Sequence, residues 1–444
     1  MEKLNFNSID FIGIGGIGMS ALARWALNKG LTVSGYDKVE SAITKELERE
    51  GAKIRYQSEN IQINTAADKI FVYTPAIPFN NPEILEIKKK KLKLIKRAEL
   101  LSRIANQGKS IAIAGTHGKT TTSCLTAWIL TNSGLSVNGF FGGVSNNFKS
   151  NYVSGTENIT IVEADEFDRS FLYLKPDYSL ITSTDPDHLD YYKTKNELEM
   201  AFRNFAENSK KCVIHDQIKN IDGESYSLSN KKFGADRIIN KNGSQYFNLI
   251  LNGIEYKNIR PGVQGEHNIE NAIGAAVIAF QLGISPKNII NGIESFKGVK
   301  RRFEIHVNNG SNIFIDDYAH HPTELNKLIN SVKDIFPKKP IAMLFQPHLF
   351  TRTNEFFNEF IEILSQVDTL GVLPIFGARE HPIEGVNSQK ITSCIPKSEF
   401  VLFKDGPKWL CNVKNHIYIT AGAGDIDRLV PSIIENLNQK NENR

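Results

Sequence analysis

The chain has few cysteines, no long hydrophobic run and no strong excess of charge of either sign. Its 4 cysteines form no CxxC pair and no cluster with histidine, so neither disulfides nor a zinc site is expected. No stretch of about 18 uncharged apolar residues occurs, which argues against a membrane-spanning helix. The net charge of +4 is spread along the chain and does not indicate a nucleic-acid-binding protein. Since the first residues also lack the basic-then-apolar pattern of a signal peptide, we expect a cytoplasmic protein.

What the sequence does contain is a repeated alternation of strand and helix patterns. A chain of 444 residues exceeds the usual size of one domain, and two to four domains are expected. The alternation predicts parallel sheets covered by helices on both faces. We therefore predict an α/β protein of three consecutive domains, at residues 1–107, 108–298 and 299–444.

The most specific local pattern is IAIAGTHGKTTTSCLTAWIL at residues 111–130. An apolar run predicts a buried strand that breaks at Gly115, and Gly118-Lys119 then opens a helix. This order is typical of a phosphate-binding loop, in which backbone N–H groups face the anion, the lysine reaches the terminal phosphates and a threonine hydroxyl ligates Mg²⁺. Position 113 is Ile where the common pattern has glycine, so the loop is shorter than usual. A tight turn before an ordinary helix is the alternative, but the lysine and three threonines favour a nucleoside triphosphate site.

A second glycine-rich turn lies near the start of the chain. Gly13, Gly15 and Gly18 follow a predicted strand and open a helix, and Asp37 ends the next strand. This spacing is a dinucleotide fingerprint, because the glycines allow close backbone approach to a diphosphate and the acid can bind a ribose hydroxyl. The pattern predicts a nucleotide with a diphosphate, without distinguishing a nicotinamide cofactor from another such ligand.

Acidic residues follow two further predicted strands. One cluster, after ITIV, is Glu163, Asp165 and Glu166; the other, after SLIT, is Asp185, Asp187, His188 and Asp190. Ligands bind at the carboxyl ends of strands in open α/β sheets, so both clusters are expected to converge on the phosphate loop. Carboxylates and hydroxyls suit a hard cation, with histidine as an occasional ligand. Helix caps and solvated turns are the alternative for any single residue, and Glu163 and His188 are the preferred candidates.

The last third of the chain contains three further candidate features. The pair Arg301-Arg302 is either a surface pair or a source of positive charge for a transferred phosphoryl group. Two histidines, His320-His321, beside two acids, Asp316-Asp317, are more polar than a buried strand end needs and indicate a site. The turn at 422–424 joins a strand to a helix, and packing is its default explanation.

Together these motifs resemble those of the Mur ligases of peptidoglycan synthesis. The resemblance extends over nearly the whole chain and is carried by FIGIGGIGMS (11–20), GTHGKTTT (115–122), EADEFD (163–168), DPDHLD (185–190), EHNIENA (266–272), GVKRRFE (298–304), DDYAHHPTE (316–324), FQPHLFTRT (345–353) and TAGAGD (420–425). It implies a Rossmann-like N-terminal domain for the UDP part of a sugar nucleotide, a central P-loop ATPase-like domain for ATP, and a Rossmann-like C-terminal domain for an amino acid.

Within the family, the motifs are most similar to those of the enzymes that join L-alanine to UDP-N-acetylmuramate. The implied reaction begins when the lactyl carboxylate attacks the γ-phosphate of ATP, giving an acyl phosphate and ADP. The amine of L-alanine then attacks the acyl carbon, and phosphate leaves. Because a carboxylate approaching a polyanion is repelled, Lys119, Arg302 and Mg²⁺ are expected to neutralise the growing charge. The implied cofactors are ATP and Mg²⁺, and the implied partners are these small molecules, for a monomer or weak homodimer without nucleic acid or membrane insertion.

The resemblance also implies roles for individual residues. Contacts to ATP are expected from Gly115, Thr116, His117, Gly118, Lys119, Thr120, Thr121, Asn271 (adenine), Arg302 and Asp317 (ribose). Contacts to the UDP substrate are expected from Gly15, Gly16, Ile17, Gly18 and Asp37. The metal ligands would be Thr120, Glu163 and His188, and the amino acid would lie against Tyr318, His320 and Arg352. The catalytic residues would be Lys119, Arg302 and His320, the last as a candidate base for the amine.

Two positions depart from the family pattern. Leu349 follows FQPH where arginine is frequent, which leaves Arg352 as the remaining clamp for the amino-acid carboxylate. Arg203 occupies the region where related ligases carry a carbamylated lysine, so no modified lysine is expected. Three alternatives stay open: a recycling ligase that joins a murein tripeptide to the same sugar nucleotide, a nicotinamide-dependent oxidoreductase, and a non-catalytic nucleotide-binding regulator.

Overall fold

The computed structural model describes residues 6–57, 68–156, 158–185, 189–241, 243–309, 312–378, 380–414 and 416–442. Contacts divide the chain into two compact units. The first unit comprises Met1–Arg237, Phe247–Gly262 and Glu270–Lys297, and the second comprises Ile238–Tyr246, Val263–Ile269 and Gly298–Arg444. Within the described part of the chain, no helix is both long enough and apolar enough to cross a bilayer.

The N-terminal part of the first unit is a parallel sheet with the strand order β3-β2-β1-β4-β5. Its elements are β1 (Ser8–Ile12), α1 (Ile17–Asn28), β2 (Thr32–Tyr36), α2 (Ala42–Arg49), β3 (Lys53–Arg55), β4 (Lys69–Tyr73), α3 (Pro82–Lys89), β5 (Leu94–Lys96) and α4 (Arg97–Ala105). Gly13 has φ +87°, a backbone conformation that glycine adopts without strain. The turn carries the chain from β1 into α1 and sets the glycine-rich segment at the carboxyl end of the sheet.

The central part of the first unit is a second sheet with the order β12-β11-β10-β6-β9-β7-β8. Its elements are β6 (Lys109–Ala114), α5 (Lys119–Asn132), β7 (Asn138–Ser145), β8 (Ser150–Val153), β9 (Ile159–Glu163), β10 (Tyr178–Ile181), α6 (Leu189–Tyr192), α7 (Lys195–Glu207), β11 (Lys211–His215) and β12 (Glu224–Tyr226). Strand β6 pairs in parallel with both β9 and β10, which explains its unbroken apolar sequence, since a central parallel strand is covered on both faces.

A small sheet and two helices follow along the chain, and their residues are divided between the two units. The strands β13 (Phe233–Lys241), β14 (Ser244–Leu251) and β15 (Ile254–Ile259) lie in that order, and α8 (Glu266–Gln281) and α9 (Pro286–Ser295) follow. Helix α8 contains the EHNIENA motif in its first two turns. Its apolar residues are buried almost without exception, including Ile273, Ala276 and Val277 at 0% exposure.

One hydrophobic core joins the N-terminal and central sheets. Buried side chains of α1 and α4 belong to the same cluster as those of β6, β9 and α7. Arg24 of α1 adds a polar tie, since its Nη1 donates to Oδ1 of the fully buried Asn151 on β8 at 2.5 Å. The same guanidinium pairs with Glu46 of α2 and with Glu50, which directly follows that helix. The predicted α/β class is confirmed, and the division at residues 107 and 108 stays a prediction, because the contacts group both sheets into one unit.

Replacing Arg24 by methionine is expected to destabilise the protein by about 2 kcal/mol. The variant keeps an unbranched side chain but leaves the buried Asn151 oxygen without its donor and removes the cation between Glu46 and Glu50. Urea unfolding of the wild type and the variant measures this difference. Lys29→Met, at an exposed lysine after the same helix, is the matched control and should change stability by less than about 0.5 kcal/mol; an equal effect of both substitutions would contradict the assignment.

The second unit is built on a sheet with the order β16-β17-β21-β18-β19-β20, in which β16 runs antiparallel to β17. Its elements are β16 (Glu304–Asn308), β17 (Ile313–Asp317), α10 (Pro322–Ile335), β18 (Ile341–Phe345), α11 (Phe350–Glu355), α12 (Phe357–Leu364), β19 (Thr369–Val372), α13 (Ser388–Cys394), β20 (Ser398–Phe400), α14 (Gly406–Asn412), β21 (Ile417–Ala421) and α15 (Val430–Glu442). Strands β17, β18 and β21 are parallel neighbours. Their carboxyl ends therefore bring together the DDYAHH, FQPH and TAGAG segments.

Candidate active site

The phosphate loop connects β6 to α5 and is shaped by two glycines with positive φ. Gly115 has φ +132°, and a Cβ there would lie 2.1 Å from Oγ1 of Thr182; Gly118 has φ +80°, and a Cβ there would lie 2.5 Å from Oδ1 of Asn271. Any other residue at either position would be both strained and crowded. Helix α5 begins at Lys119 without a side-chain cap, so the N–H groups of its first turn are available to an anion.

Residues after β10 support this loop from the side. The N–H of Thr116 donates to the carbonyl of Ser183 at 3.1 Å, and the N–H of His117 donates to Oγ of Ser183 at 2.9 Å. Thr182 donates to the carbonyls of Ala114 and His117. Ser183 and Thr182 were not predicted as site residues, because a serine and a threonine after a strand carry no sequence signal of their own.

Lys119 is held inside the loop by protein oxygens. Its Nζ lies 2.9 Å from Oε1 and 2.8 Å from Oε2 of Glu166, and 2.5 Å from the carbonyl oxygen of Gly115. Burial acts against the charged ammonium, but Glu166, Asp165 and Glu163 together outweigh it, and the pKa of Lys119 is raised. Lys119 is therefore a fixed cation at the N-terminus of α5. Glu166 was predicted only as part of an acidic cluster, and the structure identifies it as the direct partner of this lysine.

The structure brings together two of the three predicted metal ligands. Oγ1 of Thr120 donates to Oε1 of Glu163 at 3.0 Å, and the N–H of Gly142 donates to Oε2 at 2.6 Å. Burial raises the pKa of Glu163, although Lys119, Gly142 and Thr120 act in the opposite direction. A carboxylate and a hydroxyl at this separation are a donor set that fits Mg²⁺. The third predicted ligand, His188, lies outside the described residues.

The remaining predicted ATP contacts in the first unit lie on α5 and α8. Oγ1 of Thr122 donates to Oδ1 of Asn271 at 3.2 Å, so the predicted adenine contact sits directly beside the phosphate loop. Thr121 follows in the first turn of α5 and is buried. Nε2 of His117 lies 3.5 Å from Oδ2 of Asp185, which connects the loop to the second acidic cluster.

A cleft of about 310 Å³ connects the N-terminal glycine turn with Glu163, one of the predicted metal ligands. Its wall includes the turn at Gly16, Ile17 and Gly18 and, at the other end, Glu163 and Asp165. Arg97, the first residue of α4, also lines it and lies 3.4 Å from Asp165 (Nη2 to Oδ2). Arg97 had not been predicted as a site residue.

Asp37, a predicted ribose ligand, accepts a hydrogen bond from the N–H of Gly15 through Oδ2 at 2.8 Å. Its other oxygen accepts from the N–H of Val39. A Cβ at position 15 would lie 2.8 Å from the same carboxylate. Position 15 therefore requires glycine, because the Asp37 carboxylate lies too close for a side chain there. Through its hydrogen bond with Gly15, Asp37 stabilises the glycine turn in this structure.

In the second unit, Asp317 is buried at the carboxyl end of β17. Its carboxylate accepts the N–H of Phe303 at 2.6 Å and the N–H of Ala319 at 2.7 Å. Burial raises its pKa to about 6, although the Arg302 guanidinium and both N–H groups act in the opposite direction. The Arg302 guanidinium lies 4.8 Å from the centre of the Tyr318 ring. Three predicted residues, Asp317, Arg302 and Tyr318, therefore lie together.

The neighbouring Arg301 has a different, structural set of partners. It donates to the carbonyls of Gly422 and Gly424, and its Nε lies 3.5 Å from Oδ2 of Asp316. The sequence left open whether the arginine pair is a surface feature or a site. In the structure, Arg301 ties the turn after β21 to the end of β17.

His320 lies in a cluster with a second, unpredicted histidine. Its Nδ1 is 2.9 Å from the carbonyl oxygen of Tyr318 and 3.1 Å from Oε2 of Glu324. The His348 ring of the FQPH segment lies 5.5 Å away, centre to centre. Burial, His320 and Arg352 lower the pKa of His348 to about 4, so this ring is neutral at pH 7. His348 was present in a quoted motif, but a lone histidine after a strand did not distinguish it.

Leu349 adopts φ +70° immediately before α11. A branched or bulky residue in this region of backbone space is strained by about 1–3 kcal/mol, and such strain is concentrated at functional sites. Its N–H donates to the carbonyl of Phe376, which fixes the turn. The departure from the family pattern therefore falls on a constrained position beside His348 and one turn before Arg352.

The raised pKa of Asp317 predicts a pH dependence of stability. An acid whose pKa rises from 3.8 to about 6 on folding binds its proton more readily in the folded state, so its contribution to stability is lost as the pH rises between these values. The free energy of unfolding of Asp317→Asn, relative to the wild type, should therefore increase by about 2 kcal/mol from pH 4 to pH 7. Urea unfolding at both pH values measures it. Asp334→Asn, at an exposed acid, should show no such change, and a pH-independent difference for Asp317→Asn would refute the prediction.

The fold is α/β, the loop between β6 and α5 has the geometry of a phosphate-binding loop, and comparison with known proteins identifies the family. Three family models match consecutive parts of the chain: "Mur ligase family, catalytic domain" at residues 8–109, "Mur ligase middle domain" at 113–279 and "Mur ligase, glutamate ligase domain" at 301–418. With these matches and the full-length relatives below, the chain belongs to the Mur ligase family.

Several full-length relatives carry the same name. The UDP-N-acetylmuramate–L-alanine ligase of Christiangramia forsetii is 39% identical over 98% of both chains. That of Porphyromonas gingivalis is 39% identical and covers 95% of this chain and 96% of its own. Among solved structures, the UDP-N-acetylmuramate-alanine ligase of Thermotoga maritima superposes with a TM-score of 0.84 at 26% identity, covering 98% of this chain and 99% of its own. A murein peptide ligase of Psychrobacter arcticus shares the fold, with a TM-score of 0.69 at 20% identity and coverage of 97% and 98%.

Proposed function

We propose that this protein is an ATP-dependent ligase that joins L-alanine to UDP-N-acetylmuramate in the cytoplasm, with release of ADP and phosphate. The observation that carries the proposal is the cleft between the glycine turn at Gly16–Gly18 and Glu163. A sugar nucleotide with its diphosphate on the glycine turn would direct its other end toward the phosphate loop. The names of the relatives at 38–39% identity support the choice of substrates.

In the first step, the lactyl carboxylate attacks the γ-phosphorus, and the bond to the β,γ-bridging oxygen breaks to release ADP. Lys119 and the N–H groups at the start of α5 hold the phosphates and stabilise the charge that develops on their oxygens. Thr120 and Glu163 would hold Mg²⁺, which when bound supplies further charge neutralisation. We assign Arg302, on the second unit, to the same task.

In the second step, the amine of L-alanine attacks the acyl carbon, and the bond to the phosphate oxygen breaks. The amine must lose a proton, and His320 is the proposed base. Because Nδ1 of His320 lies 2.9 Å from the Tyr318 carbonyl oxygen, it carries the ring proton and donates it there, which leaves Nε2 as the basic nitrogen. Arg352 is the proposed partner of the amino-acid carboxylate, with Tyr318 beside it.

The proposal is tested by measuring phosphate release from ATP and Mg²⁺ with UDP-N-acetylmuramate and each acceptor in turn. We expect release with L-alanine and little with the tripeptide L-Ala-γ-D-Glu-meso-diaminopimelate. The opposite preference would identify the recycling ligase, whose solved example has the lower TM-score and identity. Failure with every acceptor, together with tight NADH binding, would favour the oxidoreductase interpretation of the glycine turn.

A further inference from the structure

The carboxylate of Glu166 is in direct contact with the lysine that is expected to bind the phosphates of ATP. Glu166 is fully buried, and its two oxygens lie 2.9 and 2.8 Å from Nζ of Lys119. An ammonium group has three N–H donors and no acceptor. Here they face Glu166, the Gly115 carbonyl at 2.5 Å and the Thr116 carbonyl at 3.4 Å. A phosphate oxygen can therefore receive a hydrogen bond from Lys119 only in exchange for one of these contacts.

Hydrogen bonds to its carbonyl group fix the backbone of Glu166. The Glu166 carbonyl accepts hydrogen bonds from the hydroxyl of the buried Tyr192 and from the N–H of Arg169. Two and three positions further on, Asp168 and Arg169 have φ +51° and +58°, values that non-glycine residues adopt at a cost of about 1 kcal/mol or more each. This strained turn, together with the hydrogen bond from Tyr192, restricts movement of the Glu166 backbone. Glu166 is therefore expected to stay close to Lys119 when a phosphate binds.

We propose that Glu166 is a positioning residue that competes with nucleotide phosphates for Lys119 and thereby lowers the affinity of the site for ADP and ATP. The inference rests on the proposed function, since it requires that a nucleotide binds at this loop. Because the Glu166 carboxylate and a nucleotide phosphate compete for the Lys119 ammonium, the apparent affinity for the nucleotide is reduced. Its role in the reaction is to favour departure of ADP once the γ-phosphoryl group has been transferred.

The test is the Glu166→Gln variant, which keeps the size of the side chain and one hydrogen bond from Lys119 but removes the charge. We expect the Kd of ADP, measured by calorimetry with Mg²⁺, to fall about tenfold, and KM for ATP to fall with it. A residue that only maintained the fold would give the opposite sign, because its loss would loosen the loop and weaken binding. Thermal unfolding of the variant verifies that it remains folded.

Two controls separate contact with Lys119 from a general change in the electric field. AMP lacks the phosphates that Lys119 reaches, so its Kd should be the same in Glu166→Gln and the wild type. Asp165→Asn removes a neighbouring charge that acts on Lys119 through space, and it should tighten ADP binding less than threefold. Unchanged or weaker ADP binding in Glu166→Gln, or equal tightening for AMP and ADP, would overturn the inference. Failure of the wild type to bind ADP would instead refute the proposed function.

Discussion

Lys119→Met is expected to lower kcat/KM for ATP-dependent phosphate release by about a thousandfold. The substitution keeps the length of the side chain and removes the cation at the N-terminus of α5, where the charge of the transferred phosphoryl group develops. Release of phosphate in the presence of both other substrates measures the effect. Lys109→Met changes an exposed lysine at the start of the same strand, β6, and should leave the rate unchanged. Activity within tenfold of the wild type would remove Lys119 from the mechanism.

The same variant should also be less stable, by about 3 kcal/mol, because Glu166 would be left in the interior without its cation. Adding Glu166→Gln to Lys119→Met removes the stranded charge. The double variant is therefore expected to recover most of the stability and none of the activity. Urea unfolding and phosphate release on the same samples distinguish a catalytic loss from a folding loss. A double variant as unstable as Lys119→Met alone would contradict the pairing.

Glu163→Gln is the second substitution with a large expected effect, a loss of about a hundred- to a thousandfold in kcat/KM. The amide oxygen can still accept the N–H of Gly142, and the amide nitrogen can donate to the Thr120 hydroxyl, so the loop should remain folded. It lacks the negative charge that a divalent cation requires, and the Mg²⁺ concentration for half-maximal activity should rise at least tenfold.

Measurement of phosphate release against Mg²⁺ concentration tests this assignment of Glu163. Glu362→Gln, at an exposed acid on α12, is the control and should follow the curve of the wild type. If Glu163→Gln lost activity without any change in Mg²⁺ dependence, Glu163 would act on the loop and not on the metal.

Much of the phosphate loop could be predicted from the sequence alone. The glycines, Lys119 and the threonines are adjacent in the chain, so their relative placement follows from one strand, one turn and one helix. The structure adds why the glycines are needed: Thr182 and Asn271, each distant in sequence, occupy the space of a side chain at Gly115 and Gly118. The convergence of the acidic cluster after β9 on this loop followed from sheet topology, and the contact between Glu163 and Thr120 agrees with it.

Other features could not be obtained from the chain alone. Glu166 is one of several acids in a row, and only the reversed backbone at Asp168 and Arg169 directs it to Lys119. His348 and Arg97 belong to patterns with many structural explanations. The placement of β17 and β18 on either side of β21 brings His348 next to His320, and α4 places Arg97 in the wall of the cleft. Asp37 had the spacing of a ribose ligand, and the structure shows its oxygens on the N–H groups of Gly15 and Val39.

The sequence by itself determined the α/β class, the family and the local elements that carry phosphate chemistry, because these depend on hydrophobic periodicity and on residues adjacent in the chain. Only the tertiary structure decided which distant side chains share a site. It joined the N-terminal and central sheets through one core, connected the glycine turn to Glu163 by a single cleft, and gave Lys119 a buried counter-ion. Such pairings depend on long-range packing and on the desolvation of charges, and neither is encoded in the spacing of residues along the chain.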